Sequence, residues 1–379
     1  MSQPVLAIIY NTAHYAYMMR RRLIAALQDH GFRVAVLAPA DKYVPNLIAM
    51  SVEFIDVPMR MNKNPLTDAL LTLDLRTKLS SLQPVAVLGY TAKPNIFGGL
   101  AARSLGIPMI NNIAGLGSVF DAGGVLSQIM KQLYRLSLAN AAMVFFQNPD
   151  DEKLFLNEGI ISHQRYDRLP GSGVDVRAFT PSNDNAEREE DPAFRFLLSA
   201  RLIAQKGIAE YVAAARQLRE SGQSVECWLL GHLGVDNPSA ISEAEVRQWE
   251  AEGLITYLGS VEDVRPVLAQ VDCVVLPSYR EGVPRVLLEA AAMSLPVITT
   301  DAVGCREAVD DGITGLLCRP RDAEDLARCM REMMSMPPEA PIAMGQRGRA
   351  KMQREFDERI VIDRYLETIN GLIAAEAQP

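Results

Sequence analysis

Short, mostly apolar runs alternate with helix-like stretches along nearly the whole chain, and this alternation narrows the fold more than any other feature. In the first half, residues 5–9, 34–38, 54–57, 85–88, 109–113 and 143–146 have the length and β-branched content of buried strands. Between several of them lie stretches with the apolar spacing of helices, at 18–27, 66–82 and 95–105. Strands separated by helices are too far apart in sequence to form hairpins, so the pattern implies a parallel sheet covered on both faces. The pattern then repeats. Strand-like runs at 196–200, 227–230, 255–258, 273–276 and 297–300 are interleaved with helical patterns at 208–219, 243–252, 264–269 and 285–293, and 343–375 is helical.

Between the two series the stretch 181–192 (PSNDNAEREEDP) is polar, acidic and without apolar period, the mark of a linker. At 379 residues the chain also exceeds what one core usually serves. The predicted organisation is α/β, with two facing Rossmann-like doubly wound domains and a cleft between them. Their expected bounds are 1–178 and 193–355, joined by a linker at 179–192, with a C-terminal helix at 356–379 packing back on the first domain. In such sheets ligands sit beyond the carboxyl ends of the strands, so the loops there are where chemistry is expected.

Charge is unevenly spread. Residues 1–178 hold 17 Lys+Arg against 13 Asp+Glu, while the rest of the chain, within a net −8, is acidic. A basic first half suits an anionic surface or acceptor; ordinary surface variation explains it equally well. No motif for nucleic acid is present. The five cysteines, Cys227, Cys273, Cys305, Cys318 and Cys329, are odd in number and include no Cys-x-x-Cys pair, which fits free thiols and a reducing cytoplasm. The start of the chain reads as a first strand and not a signal peptide, and no apolar run approaches a membrane span.

Two clusters carry candidate chemistry. In 199–207 (SARLIAQKG), Arg201 and Lys206 lie five apart in a loop that leads into a helix. A planar guanidinium, an ammonium and the amides of a helix start suit a diphosphate, each charge-assisted bond contributing about 1.5–3 kcal/mol. A solvated loop with surface charges fits the same residues. In 276–285 (LPSYREGVPR), Glu281 precedes the next helix, and Gly282, Val283 and Pro284 turn the chain so that backbone amides can face a phosphate. Glu289 follows inside the apolar stretch 286–293. An acid there is costly unless paired, which points to a hydroxyl ligand; a partly buried helix acid is the plainer alternative.

With seven residues between them, Glu281 and Glu289 form the Glu-x7-Glu signature that resembles retaining family 4 glycosyltransferases of GT-B fold. The segment 277–282, the Arg201/Lys206 pair, 171–175 (GSGVD) and 310–315 (DDGITG) are similar to that family in order and spacing. Stretches 93–95 (KPN), 115–117 (GLG) and 237–238 (NP) resemble the branch that acts on polyprenyl-diphosphate-linked saccharides in bacterial surface polysaccharide or glycan assembly. The resemblance implies that Arg201 and Lys206 hold the donor diphosphate and that Glu281, Gly282 and Val283 meet the transferred sugar and its phosphate. It further implies that Pro284, Arg285 and Glu289 complete the donor site, with Glu289 on ribose, and that Gly259, Ser260 and Val261 meet the base, expected to be uracil. On the acceptor side the expected contacts are Asn11, His14, Thr91, Lys93, Asn112, Gly115 and Gly117; His14 stands at a strand-to-helix turn that suits a phosphate or acceptor, and an exposed loop histidine fits it equally well. The glycine-rich first turn and cleft histidine of some relatives are replaced here by 11–15 (NTAHY) and 111–114 (NNIA).

The expected activity is transfer of a hexose or N-acetylhexosamine from a UDP-sugar to a lipid-linked saccharide, with no cofactor and no metal, since no Asp-x-Asp occurs. A GT-B nucleotide-sugar epimerase and a non-catalytic scaffold are the competing readings. The basic run Arg20-Arg21-Arg22 beside Met18, Met19 and Leu23 further suggests that the first helix touches the cytoplasmic face of the inner membrane; a packed helix with a solvated arginine face is the alternative.

Overall fold

The computed structural model describes residues 3–60, 64–116, 120, 123–181 and 193–376. It divides into two compact units: residues 1–172 with 359–379, and residues 173–358. The first unit therefore ends six residues before the expected 178, and the chain re-enters it at Arg359, not at 356. The expected linker beyond 181 lies outside the described residues.

The first unit is built on seven parallel strands in the order β3-β2-β1-β4-β5-β6-β7. They are β1 (Val5–Ile9), β2 (Arg33–Ala38), β3 (Glu53–Asp56), β4 (Ala86–Tyr90), β5 (Met109–Ile113), β6 (Ala141–Phe146) and β7 (Tyr166–Arg168). Helices α1 (Ala13–Asp29), α2 (Val44–Ala49), α3 (Pro65–Leu82), α4 (Gly99–Ser104), α5 (Gly124–Leu138) and α6 (Pro149–Asn157) connect them, with a π-helical turn at Pro94–Gly98 leading into α4. Their starts are written in the sequence. The Thr12 side chain accepts from the Tyr15 amide, while Asn64 and Asn148 cap α3 and α6 ahead of prolines that need no donor. Side chains of β1, β2 and β4 fill cores on both faces of the sheet.

The second unit repeats the plan with six parallel strands in the order β10-β9-β8-β11-β12-β13. These are β8 (Phe194–Ser199), β9 (Val225–Leu230), β10 (Thr256–Tyr257), β11 (Cys273–Leu276), β12 (Val297–Thr300) and β13 (Gly315–Cys318). Around them lie α7 (Ile208–Glu220), α8 (Glu243–Ala251), α9 (Arg265–Leu268), α10 (Arg285–Ala292), α11 (Ala323–Ser335) and α12 (Glu339–Glu355). The tail read as a single helical stretch is two helices, because Phe356 and Asp357 interrupt it before α13 (Glu358–Glu376). From α13, Val361, Tyr365 and Ile369 join the first unit's core beside Leu6 and Ile8. Each sheet starts at its middle and winds outward both ways, so its topological switch points lie at β1/β4 and β8/β11.

Candidate functional site

Both clusters read from the second half of the sequence lie at the β8/β11 switch point. After β8, Arg201 is exposed and its guanidinium makes no hydrogen bond or ion pair among the described residues. A 3-10 turn (Ala204–Lys206) then delivers Lys206, which ion-pairs with Glu281 from the loop after β11; their side chains are only 15% and 14% exposed. The Ser278 hydroxyl donates to Glu281 Oε1 at 2.6 Å and lies 3.1 Å from the Gln205 carbonyl, and the Tyr279 amide donates to that same carbonyl at 3.0 Å. Glu281 is thus held by an ammonium and a hydroxyl, and its own amide donates to the Val303 carbonyl at 2.9 Å after β12.

Two glycines allow this approach. Gly207 (φ +70°) and Gly304 (φ +81°) have left-handed backbones, and a β-carbon at either would collide with backbone carbonyls, of Pro277 for the first and of Glu281 and Gly282 for the second. Beneath the loop Cys305 is fully buried; burial, with the Glu281 charge adding, pushes its thiol up to about 12, so it is an inert filler. Tyr279 donates to Glu210 at 2.6 Å and lies under the Arg321 guanidinium, 4.6 Å from its ring centre; burial and that hydrogen bond push its hydroxyl up to about 12.

Pro284 is the N-cap of α10 and Arg285 its first residue, while the Val283 N–H donates to nothing among the described residues. Glu289 has a partner on its own helix: Arg285, one turn earlier, pairs with it at 2.7 Å and offsets its charge, so its burial does not by itself call for a hydroxyl ligand. Gly259, Ser260 and Val261 follow β10 at the sheet edge, where the Gly259 carbonyl accepts from the Gly231 amide at 2.7 Å. Gly231, absent from the sequence reading, fits against the Ala200 carbonyl and so links the β10, β9 and β8 loops in one row. Gln205, Ser278 and Gly304 were also missed, because their roles depend on which loops become neighbours. The other family-like stretches are structural: Asp310 anchors a turn and pairs with Lys351 at 2.6 Å, and Asp175 Oδ1 accepts from the amides of Arg177 and Ala178.

In the first unit, Asn11 and Thr91 follow β1 and β4, adjacent strands at the other switch point. Asn11 Oδ1 and Thr91 Oγ1 are buried without a hydrogen-bond partner among the described residues, and Thr91 has φ +67°. The His14 ring packs edge-on against Tyr15 and Tyr43, and its pKa is lowered by burial despite Asp41 nearby. Two acceptor assignments meet different surroundings. Lys93 is paired with Asp68 at 2.5 Å. Asn112 is wholly buried, donating to the Tyr365 hydroxyl at 3.0 Å and accepting from Gln147 at 2.9 Å, so it ties β5 to α13. Gly115 is described, with φ +95°, and Gly117 lies outside the described residues. Of the α1 arginines read as a membrane contact, Arg20 is buried with its guanidinium 4.1 Å from the Tyr90 ring centre, and Arg21 and Arg22 reach solvent.

Among the described residues no helix is long and apolar enough to cross a membrane, and no group of three or more His, Cys, Asp or Glu could hold a metal ion. The family model described as "Glycosyl transferase 4-like" matches residues 7–148, and that described as "Glycosyl transferases group 1" matches 193–336. The chain is 27% identical over 372 residues to the N,N'-diacetylbacillosaminyl-diphospho-undecaprenol alpha-1,3-N-acetylgalactosaminyltransferase of Campylobacter jejuni, covering 94% of this chain and 96% of that one. It is 28% identical to the putative glycosyltransferase EpsF of Bacillus subtilis, over 73% of this chain and 72% of the relative. In fold it is similar to sucrose-phosphate synthase from Thermosynechococcus elongatus (TM-score 0.82, 19% identity, 98% and 100% of the two chains). It is also similar to HepE from Anabaena in complex with UDP and glucose (TM-score 0.79, 17% identity, 97% and 100%). With one glycosyltransferase model on each sheet and this architecture throughout, the chain belongs to the glycosyltransferases of GT-B fold that join a 4-like domain to a group 1 domain.

Proposed function

We propose that the protein moves a hexose or N-acetylhexosamine from a UDP-sugar to a lipid-linked saccharide in bacterial surface polysaccharide or glycan assembly, retaining anomeric configuration. The observation that carries the donor half is the buried Lys206–Glu281–Ser278 constellation at the β8/β11 switch point. Lys206 and Arg201 supply positive charge for the departing diphosphate, and the Val283 amide at the approach to α10 adds a donor. Glu281 meets the transferred sugar, Glu289 the ribose, and the 259–261 loop the base. In this mechanism the acceptor oxygen bonds to the anomeric carbon as its bond to the diphosphate breaks, and the acceptor proton passes to the leaving phosphate. No separate base and no metal ion is needed. The lipid-linked acceptor is supported by the Campylobacter relative, whose name specifies an undecaprenol diphosphate substrate. Asn11, His14 and Thr91 of the first unit are the proposed acceptor contacts, and peripheral contact with the membrane bearing that lipid follows.

The test is transfer from UDP-sugars to an undecaprenyl-diphosphate saccharide. Lys206→Ala and Glu281→Ala are each expected to lower turnover by about 10²–10³-fold, as loss of a group stabilising the transition state does. EDTA is expected to leave wild-type turnover unchanged. Near-normal turnover in both variants contradicts the donor site, and loss of turnover in EDTA contradicts the metal-free mechanism.

A further inference from the structure

Seven of the twelve exposed large apolar side chains among the described residues sit on two helices of the first unit, α3 and α5. On α3, Leu66, Leu70 and Leu73 recur at i, i+4 and i+7, opposite the buried Leu71, Leu75 and Leu79. On α5, Val125, Ile129 and Leu136 form a second stripe, opposite the buried Tyr134 and Leu138. These six side chains are 49–78% exposed. Both buried faces enter the same core on one side of the sheet, with Ile96, Phe97 and Ala101 of the Pro94–Ser104 stretch, so both outer stripes point away from the sheet on the same side. Arg103 of α4 donates to the Leu136 carbonyl at 2.8 Å and fastens the last turn of α5 to α4.

Charge is arranged around this face and kept off it. Outward positions on α5 between the apolar residues are Gln128 and Gln132, while Lys131 turns aside to Glu158 and Arg135 to the carbonyls of Glu158 and Gly159. Arg60, Arg76 and Arg103 are exposed. Residues 60–138 carry eight Lys+Arg against three Asp+Glu in a chain whose net charge is −8. Two apolar stripes with α4 lying between their helices, in a basic setting, suit the headgroup layer of an anionic bilayer: the leucines enter the acyl boundary while arginines meet lipid phosphates. A second copy of the chain is a poorer occupant, since two such faces would bring like charge together.

We infer that the outer face of α3 and α5 is a docking surface for an anionic lipid bilayer, and that α1 is not. The inference rests on the lipid-linked acceptor reading for its purpose, though its geometry stands without it. The test is flotation of the full chain with vesicles of phosphatidylcholine alone or mixed with phosphatidylglycerol. Mass and donor turnover are followed in the same preparations, by light scattering and by UDP release from UDP-sugar.

Wild type is expected to float with the anionic vesicles, more weakly at high salt. Leu70→Glu/Leu73→Glu and Val125→Glu/Ile129→Glu are each expected to partition at least about tenfold less, because a carboxylate replaces an apolar group at the lipid boundary. Both are expected to stay monomeric with unchanged UDP release. Arg21→Gln/Arg22→Gln on α1 is expected to float as wild type does. The inference is overturned if wild type stays unbound, if the glutamate variants float equally well, or if wild type is a dimer that these variants dissociate. Loss of UDP release in wild type with flotation intact would instead remove the donor reading and leave the surface standing.

Discussion

Glu281 and Lys206 occupy positions where sequence and structure agree on residue type but not on reason. The sequence supplies two cations and two acids near helix starts; it does not say that Lys206 and Glu281 neutralise each other. Mutual neutralisation lets both charges stay buried. Ser278, read in sequence only as part of a motif, holds one Glu281 oxygen and so sets where the carboxylate points. Glu289 shows the converse: a sound burial argument led to an external ligand, yet the compensating charge was four residues away on the same helix. His14 has a direct check. Burial disfavours its charged form and outweighs Asp41, so its folded pKa lies below the ordinary 6.5 and the ring is neutral at pH 7. An NMR titration of the imidazole protons is expected to give a midpoint below 6.5; a midpoint above it would mean that Asp41 dominates.

Elements were legible where apolar runs were long and unlegible at the margins of the sheets. β1, β5, β11 and β12 match the predicted spans residue for residue, because buried parallel strands are apolar or β-branched end to end. The edge strand β7 has the sequence Tyr-Asp-Arg and carries no hydrophobic signal, while β13 is apolar after its opening glycine but only four residues long, too short a run to stand out. α1 begins five residues before its apolar period suggests, since its start is set by the Thr12 cap. The loops at the β8/β11 switch point depend on tertiary neighbours, which periodicity does not encode. Replacing Gly207 is therefore expected to differ from replacing Gly222, which has φ +75° but open space around it. Gly222→Ala is expected to cost about 1 kcal/mol of stability through backbone strain alone, with UDP binding unchanged. Gly207→Ala adds a collision with the Pro277 carbonyl and is expected to cost more and to weaken UDP binding at least tenfold (about 1.4 kcal/mol). Equal effects in chemical denaturation and calorimetry would contradict the role given to this close approach.

At the scale of the whole molecule, two sheets of one topology carry different chemistry at equivalent places. The second unit's switch point gathers paired charges, whereas the first unit's gathers buried amide and hydroxyl atoms without hydrogen-bond partners among the described residues. The doubled α/β plan was readable because the strand–helix alternation is itself doubled. The sequence reading already packs a C-terminal helix from 356 back on the first domain; the crossing lies instead at Arg359, where Val361, Tyr365 and Ile369 pack among first-unit side chains. The proposed placement of the donor in the second unit makes the position of the nucleotide the decisive quantity. A crystal structure with UDP bound is predicted to show the diphosphate within hydrogen-bonding reach of Lys206 Nζ and the Val283 amide, with ribose at Glu289. Nucleotide density at Asn11 and Thr91 of the first unit, with Lys206 still closed on Glu281, would contradict the account.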